Sequence, residues 1–196
     1  MAKHKHTHLE KLFIQQRDQS DCGVACLATV LKYFEAEASL EKLRELSGTS
    51  KEGTTLLGLY QAANQMGLDA EGFEAEISHL KTLEHPAILH VIIDGKLQHY
   101  IIIFGYENGQ FIINDPAKGI EYLNEEQLLK IWKSKALLLL KSTEKLEKVE
   151  TQKSKKKEWL ISLVKEDYTI LTIATFLGLV ISVLGISTAI FSQKLI

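Results

Sequence analysis

The stretch YTILTIATFLGLVISVLGISTAIFSQ, Tyr168 to Gln193, carries no charged residue. No other feature restricts this chain so strongly. A helix needs about 20 mostly apolar residues to cross a bilayer core, and this run is long enough. Its Gly and Ser content suits a packed transmembrane helix. The alternative is a buried helix of a soluble domain, but such helices are usually shorter and keep a polar face. The run follows most of the chain, so it does not read as a cleaved signal peptide. Lys153, Lys155, Lys156 and Lys157 form a basic cluster on its N-terminal side. Positive residues stay on the cytoplasmic side. The expectation is that residues 1 to about 160 lie in the cytosol. A single anchor and the first span of a multi-span protein both fit.

The 196 residues are 45% hydrophobic with a formal charge of −2. That is enough apolar material for one core, and the charge gives no overall attraction to nucleic acid. There are two cysteines, Cys22 and Cys26. Disulfides are rare in the cytosol, and two cysteines without a CxxC pair cannot make a four-cysteine zinc site. Thiol chemistry and buried packing remain for them.

The chain changes character along its length. Residues 1–12 are polar, with His4, His6 and His8 alternating; the expectation is a flexible terminus. Val24, Leu27, Val30, Leu31 and Phe34 recur at helical spacing and predict a helix with one buried face, capped by Ser20 or Asp21. SLEKLRELSG predicts a second helix from Ser39 to Gly48. TTLLGLYQAANQMG predicts a third, with Leu56, Leu59, Ala63 and Met66 inward. Four strands follow in PAILHVII, QHYIIIFGY, QFIIND and ALLLL, with hairpin turns at Asp94-Gly95 and Asn108-Gly109. NEEQLLKIW is a short helix with a capping box at Asn124 and Gln127. Helices first and an antiparallel sheet second predict an α+β domain over residues 13–141. A charged linker at 142–158 and a membrane segment at 159–196, spanning at about 168–191, complete the reading.

Cys22 falls at the start of its helix, where free backbone N–H groups and the helix dipole favour a thiolate, the nucleophilic form. Cys26, one turn further in, reads as a small buried hydrophobe. A thiolate needs an oriented base. His99 lies early in the second strand of its hairpin, next to the turn, where a side chain can reach a cleft. His90 on the facing strand is its rival, while His79 and His85 fall in a loop. Asp115 ends the third strand before Pro116; it can fix the tautomer of His99 or simply form an Asp-Pro turn. Gln16, six residues before Cys22, can offer an amide N–H to a developing oxyanion. None of these is decisive alone.

Together, QRDQSDCGVACL, then HY at 99–100, then NDP at 114–116, resemble the C39 family of cysteine peptidases. GTTLLGL after the second helix is similar to the family too, and the resemblance covers roughly Phe13 to Leu140. It implies a papain-like fold, N-terminal helices packed on an antiparallel sheet, fused to the start of an ABC exporter. By resemblance the nucleophile is Cys22, the base His99, the orienting acid Asp115 and the oxyanion glutamine Gln16. The role of the adjacent Gln15 stays open, and Cys26 matches a position where a second, non-catalytic cysteine is common. The implied partner is a bacteriocin or signal-peptide precursor cut after a Gly-Gly leader, with the lipid bilayer and a homodimer through the exporter core as further partners, and no nucleic acid. The peptidase needs no cofactor or metal. No GxxxxGK[ST] stretch occurs, so ATP and Mg are expected only in a separate nucleotide-binding part. The implied location is a bacterial membrane, with the peptidase domain cytoplasmic. A non-catalytic domain that only tethers cargo is the alternative; the presence of Cys22 and His99 favours the enzyme.

Overall fold

The computed structural model describes residues 9–149, 159, 161, 162, 165 and 167–194. It divides into two units, one ending at Val149 and one beginning at Glu150. In the first, the helices α1 (Cys22–Tyr33), α2 (Leu40–Ser47) and α3 (Leu56–Gln65) precede the sheet. Then come β1 (Leu68–Glu74), the one-turn α4 (Ile77–Leu80), β2 (Ala87–Ile93), β3 (Leu97–Glu107), β4 (Gln110–Asp115), β5 (Gly119–Leu123), α5 (Glu125–Ile131) and β6 (Ala136–Ser142). The strands form one sheet in the order β1-β6-β2-β3-β4-β5, and every pairing is antiparallel. The α+β architecture is as expected.

Local chemistry sets most of the boundaries. Ser39 accepts from the Lys42 N–H at the start of α2, and Gly48 ends that helix at a left-handed φ of 64°. Asn124 and Gln127 close the capping box of α5. Asp94-Gly95 and Asn108-Gly109 both turn with positive φ at both residues, the geometry that matches strand twist; the second is a two-residue loop, and the first is part of a three-residue loop that ends at Lys96. The start of α1 differs from expectation. Asp21 makes no side-chain cap there. Asp18 instead caps a short 3₁₀ turn, Gln19–Asp21, by accepting from the Ser20 N–H.

The sheet is covered on both faces, so its central strands read as continuous apolar runs. Ile88, Ile102, Leu138 and Leu140 face a core with α1, α2 and α3. Leu89, Ile101, Ile103, Ile113 and Leu137 face a second core closed by Leu128 and Trp132. α1 is buried from Cys22 through Leu31, all the way round. The single buried face expected of it is too narrow: α1 packs on the sheet, α2 and α3 together.

Two strands lie beyond the four predicted, β1 and β5, and they are the two edges of the sheet. Edge strands hold one apolar face at most and take shape by pairing. The domain also extends past 141. Leu146 is buried in the first core, Ala36 bridges to Lys148, and the Val149 N–H donates to the Glu35 carbonyl. Leu146 is a lone anchor among Lys and Glu, which disguises the packing. At the other end Leu9 and Leu12 are buried against Ile112, so the flexible terminus does not reach 12. His4, His6 and His8, and residues 150–158 of the expected linker, lie outside the described residues.

In the second unit α6 spans Tyr168–Lys194. It is long and apolar enough to cross a membrane, and its described side chains are exposed on every side.

Candidate active site

Cys22 is the first residue of α1 and is only 4% exposed. His99 comes from the start of β3 and Asp115 from the end of β4. The ladder pairs Ile102 with Asn114, so these neighbouring strands bring both residues to one end of the sheet. His99 Nε2 and Asp115 Oδ1 are 2.8 Å apart, both side chains buried. The Ala117 backbone N–H donates to the same carboxylate oxygen at 2.9 Å. Asp115 is therefore both the turn-former and the partner of His99.

The electrostatics favour a charged pair. Burial pushes the His99 pKa down, but hydrogen bonds to Asp115 and Cys22, with the charges of both, carry it up to about 9. Because Nε2 is held by Asp115, Nδ1 is the nitrogen left to face the thiol. Burial raises the Asp115 pKa, yet the His99 hydrogen bond, the Ala117 N–H and the charges of His99 and Lys118 hold it below the ordinary carboxylate range. This arrangement supports a protonated imidazole held and oriented by a carboxylate, with the Cys22 thiol as its other partner.

Gln16 is half-buried, and its loop is fixed at two points. The Gln16 N–H donates to the Pro116 carbonyl at 3.1 Å, just past Asp115. The Ile14 N–H donates to Thr29 Oγ1 on α1 at 3.2 Å. The Gln16 carboxamide oxygen is buried with no partner among the described residues. Gln15 beside it is exposed.

The rivals fall away by position. His90 stacks its ring 5.3 Å from Tyr100, and burial, opposed by Gln98, lowers its pKa. His79 packs edge-on against Phe73, and His85 is exposed in its loop. Cys26 is fully buried and donates its thiol to the Tyr100 carbonyl at 3.4 Å. Burial, with the charges of Cys22 and Asp115, pushes that thiol well up. It stays protonated and packed, as a buried hydrophobe would. Both cysteines are free.

Two adjoining hollows lie on this unit, and the second reaches Tyr100, the neighbour of His99. An apolar groove of about 410 Å³ is lined by Leu56, Leu57, Tyr60, Phe73 and Leu138. A more polar one of about 440 Å³, with Thr54, His90, Gln98 and Tyr100, shares Leu56 and Ala136 with it. The Tyr100 ring lies beside Gly23, next to Cys22. The groove residues escape a reading for buried faces because Leu57 and Tyr60 are exposed, at 64% and 40%. The signal available in the sequence is the doublet Leu56-Leu57, which puts one leucine outside whichever face is buried.

Comparison with known proteins gives a consistent picture. Residues 10–145 match the Peptidase C39 family. The lactococcin-G-processing and transport ATP-binding protein LagD of Lactococcus lactis subsp. lactis is 40% identical over 111 residues, 56% of this chain and 16% of LagD. The transport/processing ATP-binding protein ComA of Streptococcus pneumoniae is 34% identical over 176 residues, 87% of this chain and 24% of ComA. The chain thus spans a quarter or less of these two relatives. The crystal structure of the peptidase domain of Streptococcus ComA superposes with a TM-score of 0.63 at 35% identity, covering 66% of this chain and 97% of that one. A double glycine motif protease from an AMS/PCAT transporter, solved in complex with the leader peptide, gives 0.61 at 32% identity over 66% and 90%. A family match over most of the chain, a shared fold and a cysteine–histidine–aspartate cluster at one end of the sheet agree: the chain belongs to the C39 family of peptidases.

Proposed function

We propose that this chain is a cysteine peptidase that removes double-glycine leaders from bacteriocin or signal-peptide precursors, as the N-terminal part of an ABC exporter. The observation that carries the reading is the 2.8 Å His99–Asp115 bond beside Cys22 at a helix N-terminus. The Cys22 thiolate attacks the carbonyl carbon of the second glycine, forming a C–S bond and an oxyanion. The Gln16 amide and the Cys22 backbone N–H hold that oxyanion. The tetrahedral intermediate collapses, the C–N bond breaks, and His99 gives the Nδ1 proton to the leaving amine. Water, deprotonated by His99, then hydrolyses the thioester and releases the leader.

The substrate side is argued from the groove. An amphipathic helix lays apolar anchors at i, i+3, i+4 and i+7 into an apolar surface; Leu56, Leu57, Tyr60 and Phe73 offer one. The connected polar hollow leads from there to Tyr100, which suits an extended Gly-Gly tail without side chains. The related double glycine motif protease was solved in complex with the leader peptide, which supports a leader as the ligand. The peptidase unit lies on the cytoplasmic side of a bacterial membrane, consistent with the lysine cluster before α6. A dimer and ATP binding belong to the exporter core.

The test is direct. The full chain in detergent micelles is mixed with a synthetic precursor, and the products are weighed by mass spectrometry. A cut after Gly-Gly is expected, with KM rising when the helical anchors of the leader become polar. Cleavage at other sequences with equal efficiency contradicts the reading.

A further inference from the structure

The proposed mechanism leaves Asp21, the residue before the nucleophile, without a task, yet Asp21 is fully buried. A carboxylate is almost never so buried unless paired. Arg44 Nε on α2 donates to Asp21 Oδ1 at 2.6 Å. Asp21 Oδ2 has no hydrogen-bond partner among the described residues. Arg44 also reaches Asp18 Oδ2 at 3.4 Å, and Arg17 pairs with Glu41 on α2. Those outer pairs are exposed and contribute little; the buried one dominates. The whole loop from Gln16 to Cys22, which links two members of the candidate machinery, is tied to α2.

The charge balance matters as much as the tether. His99 and Tyr100 from β3 and Cys26 from α1 interact with Cys22, Asp115 from β4 holds His99, and Asp21, the residue before Cys22 in the chain, carries Arg44, which also reaches Asp18. A second buried negative charge beside Cys22 opposes its ionisation. An adjacent cation offsets that penalty.

We propose that Arg44 is a positioning residue for the nucleophile: its guanidinium neutralises buried Asp21 and pins the Gln16–Cys22 loop to α2, so that Cys22 can carry a negative charge next to a carboxylate. This rests on Cys22 as the nucleophile, but the test reads the thiol directly. The full chain in detergent micelles is treated with iodoacetamide across pH 4–10, and alkylation of Cys22 is followed by intact mass, with Cys22→Ala subtracting any reaction at Cys26. Arg44→Gln, which removes the cation facing Asp21, shifts the midpoint of the alkylation profile up by about one pH unit or more. Asp21→Asn shifts it down. The double variant returns close to wild type. Arg44→Lys keeps the midpoint but lowers kcat for peptide cleavage, because a point charge replaces the planar fork.

A mere brace between α1 and α2 lowers the melting temperature and leaves the midpoint fixed in every folded variant; that result overturns the proposal. If Arg44→Gln does not fold, an unchanged midpoint in Asp21→Asn overturns it equally. If wild type cleaves no double-glycine peptide, the peptidase reading falls, and the alkylation midpoints still judge Arg44.

Discussion

Asp115→Asn keeps the size of the side chain and removes its charge. Asp115 Oδ1 accepts from His99 Nε2 at 2.8 Å and from the Ala117 N–H at 2.9 Å. An asparagine oxygen can keep the Ala117 bond, so the turn survives. The imidazolium loses a charged acceptor in a buried site. A hydrogen bond to a charged group contributes about 1.5–3 kcal/mol, which is roughly 10- to 150-fold in kcat. The pH profile shifts too. Burial lowers the His99 pKa, but Asp115 and Cys22 carry it up to about 9. Loss of the imidazolium proton therefore sets the alkaline limb of kcat/KM near that value, and Asp115→Asn moves the limb toward neutral. Stability follows the same linkage. His99 has a folded pKa above its ordinary 6.5, so its contribution is complete below about pH 6.5 and is lost as pH rises through 9. Asp115 is held below its ordinary 3.8, so its contribution is present above about pH 4 and is lost as pH falls through the folded value. The variant is thus less stable than wild type between these limits and converges with it above pH 9. Initial cleavage rates at pH 5–10 and thermal melts by circular dichroism measure both effects. A variant within twofold of wild type, with the same alkaline limb, refutes the orienting role and leaves Asp115 a turn residue.

Three other substitutions probe separate parts of the account. Cys26→Ala keeps most of the activity, since Cys26 is buried and bonded to the Tyr100 carbonyl, and lowers stability by about 1–2 kcal/mol for the small cavity; a folded, inactive variant would reverse the choice of nucleophile. Gln16→Ala cuts kcat about 10²- to 10³-fold with little change in KM, read from steady-state kinetics; an unchanged kcat removes Gln16 from the oxyanion site. Gly58→Ala collides with the Ser47 carbonyl, where α2 and α3 meet, and overpacking of about 1–3 kcal/mol lowers the melting temperature by roughly 5–10 °C; an unchanged melt means the helices part without cost.

The sequence reveals those parts of the molecule where local chemistry and burial coincide. Ser39, Gly48, Asn124 and the two X-Gly turns act within a few residues of themselves, so they stand where the pattern puts them. The strands β2, β3, β4 and β6 are apolar enough to announce a covered sheet. β1 is written LDAEGFE, with little β-preference, and exists because β6 pairs with it along its whole length; no local signal encodes that. Leu146 is a similar case, one leucine fixing a charged segment to the core. Cys22, His99 and Asp115 are legible only as a set, since each alone has an ordinary structural reading. The Asp21–Arg44 pair is hidden for a different reason. Its members are 23 positions apart, and an arginine on an amphipathic helix reads as a solvated charge until the buried carboxylate opposite is seen.

The central claim is that Cys22 forms and breaks the covalent intermediate. The most direct measurement compares wild type with Cys22→Ala, both as the full chain in micelles, on a double-glycine precursor, following cleavage by mass spectrometry and binding by fluorescence anisotropy of a labelled leader. The account predicts complete loss of cleavage with leader affinity unchanged, since Cys22 is 4% exposed and lies beyond the apolar groove. Cleavage that persists in a folded Cys22→Ala chain contradicts it.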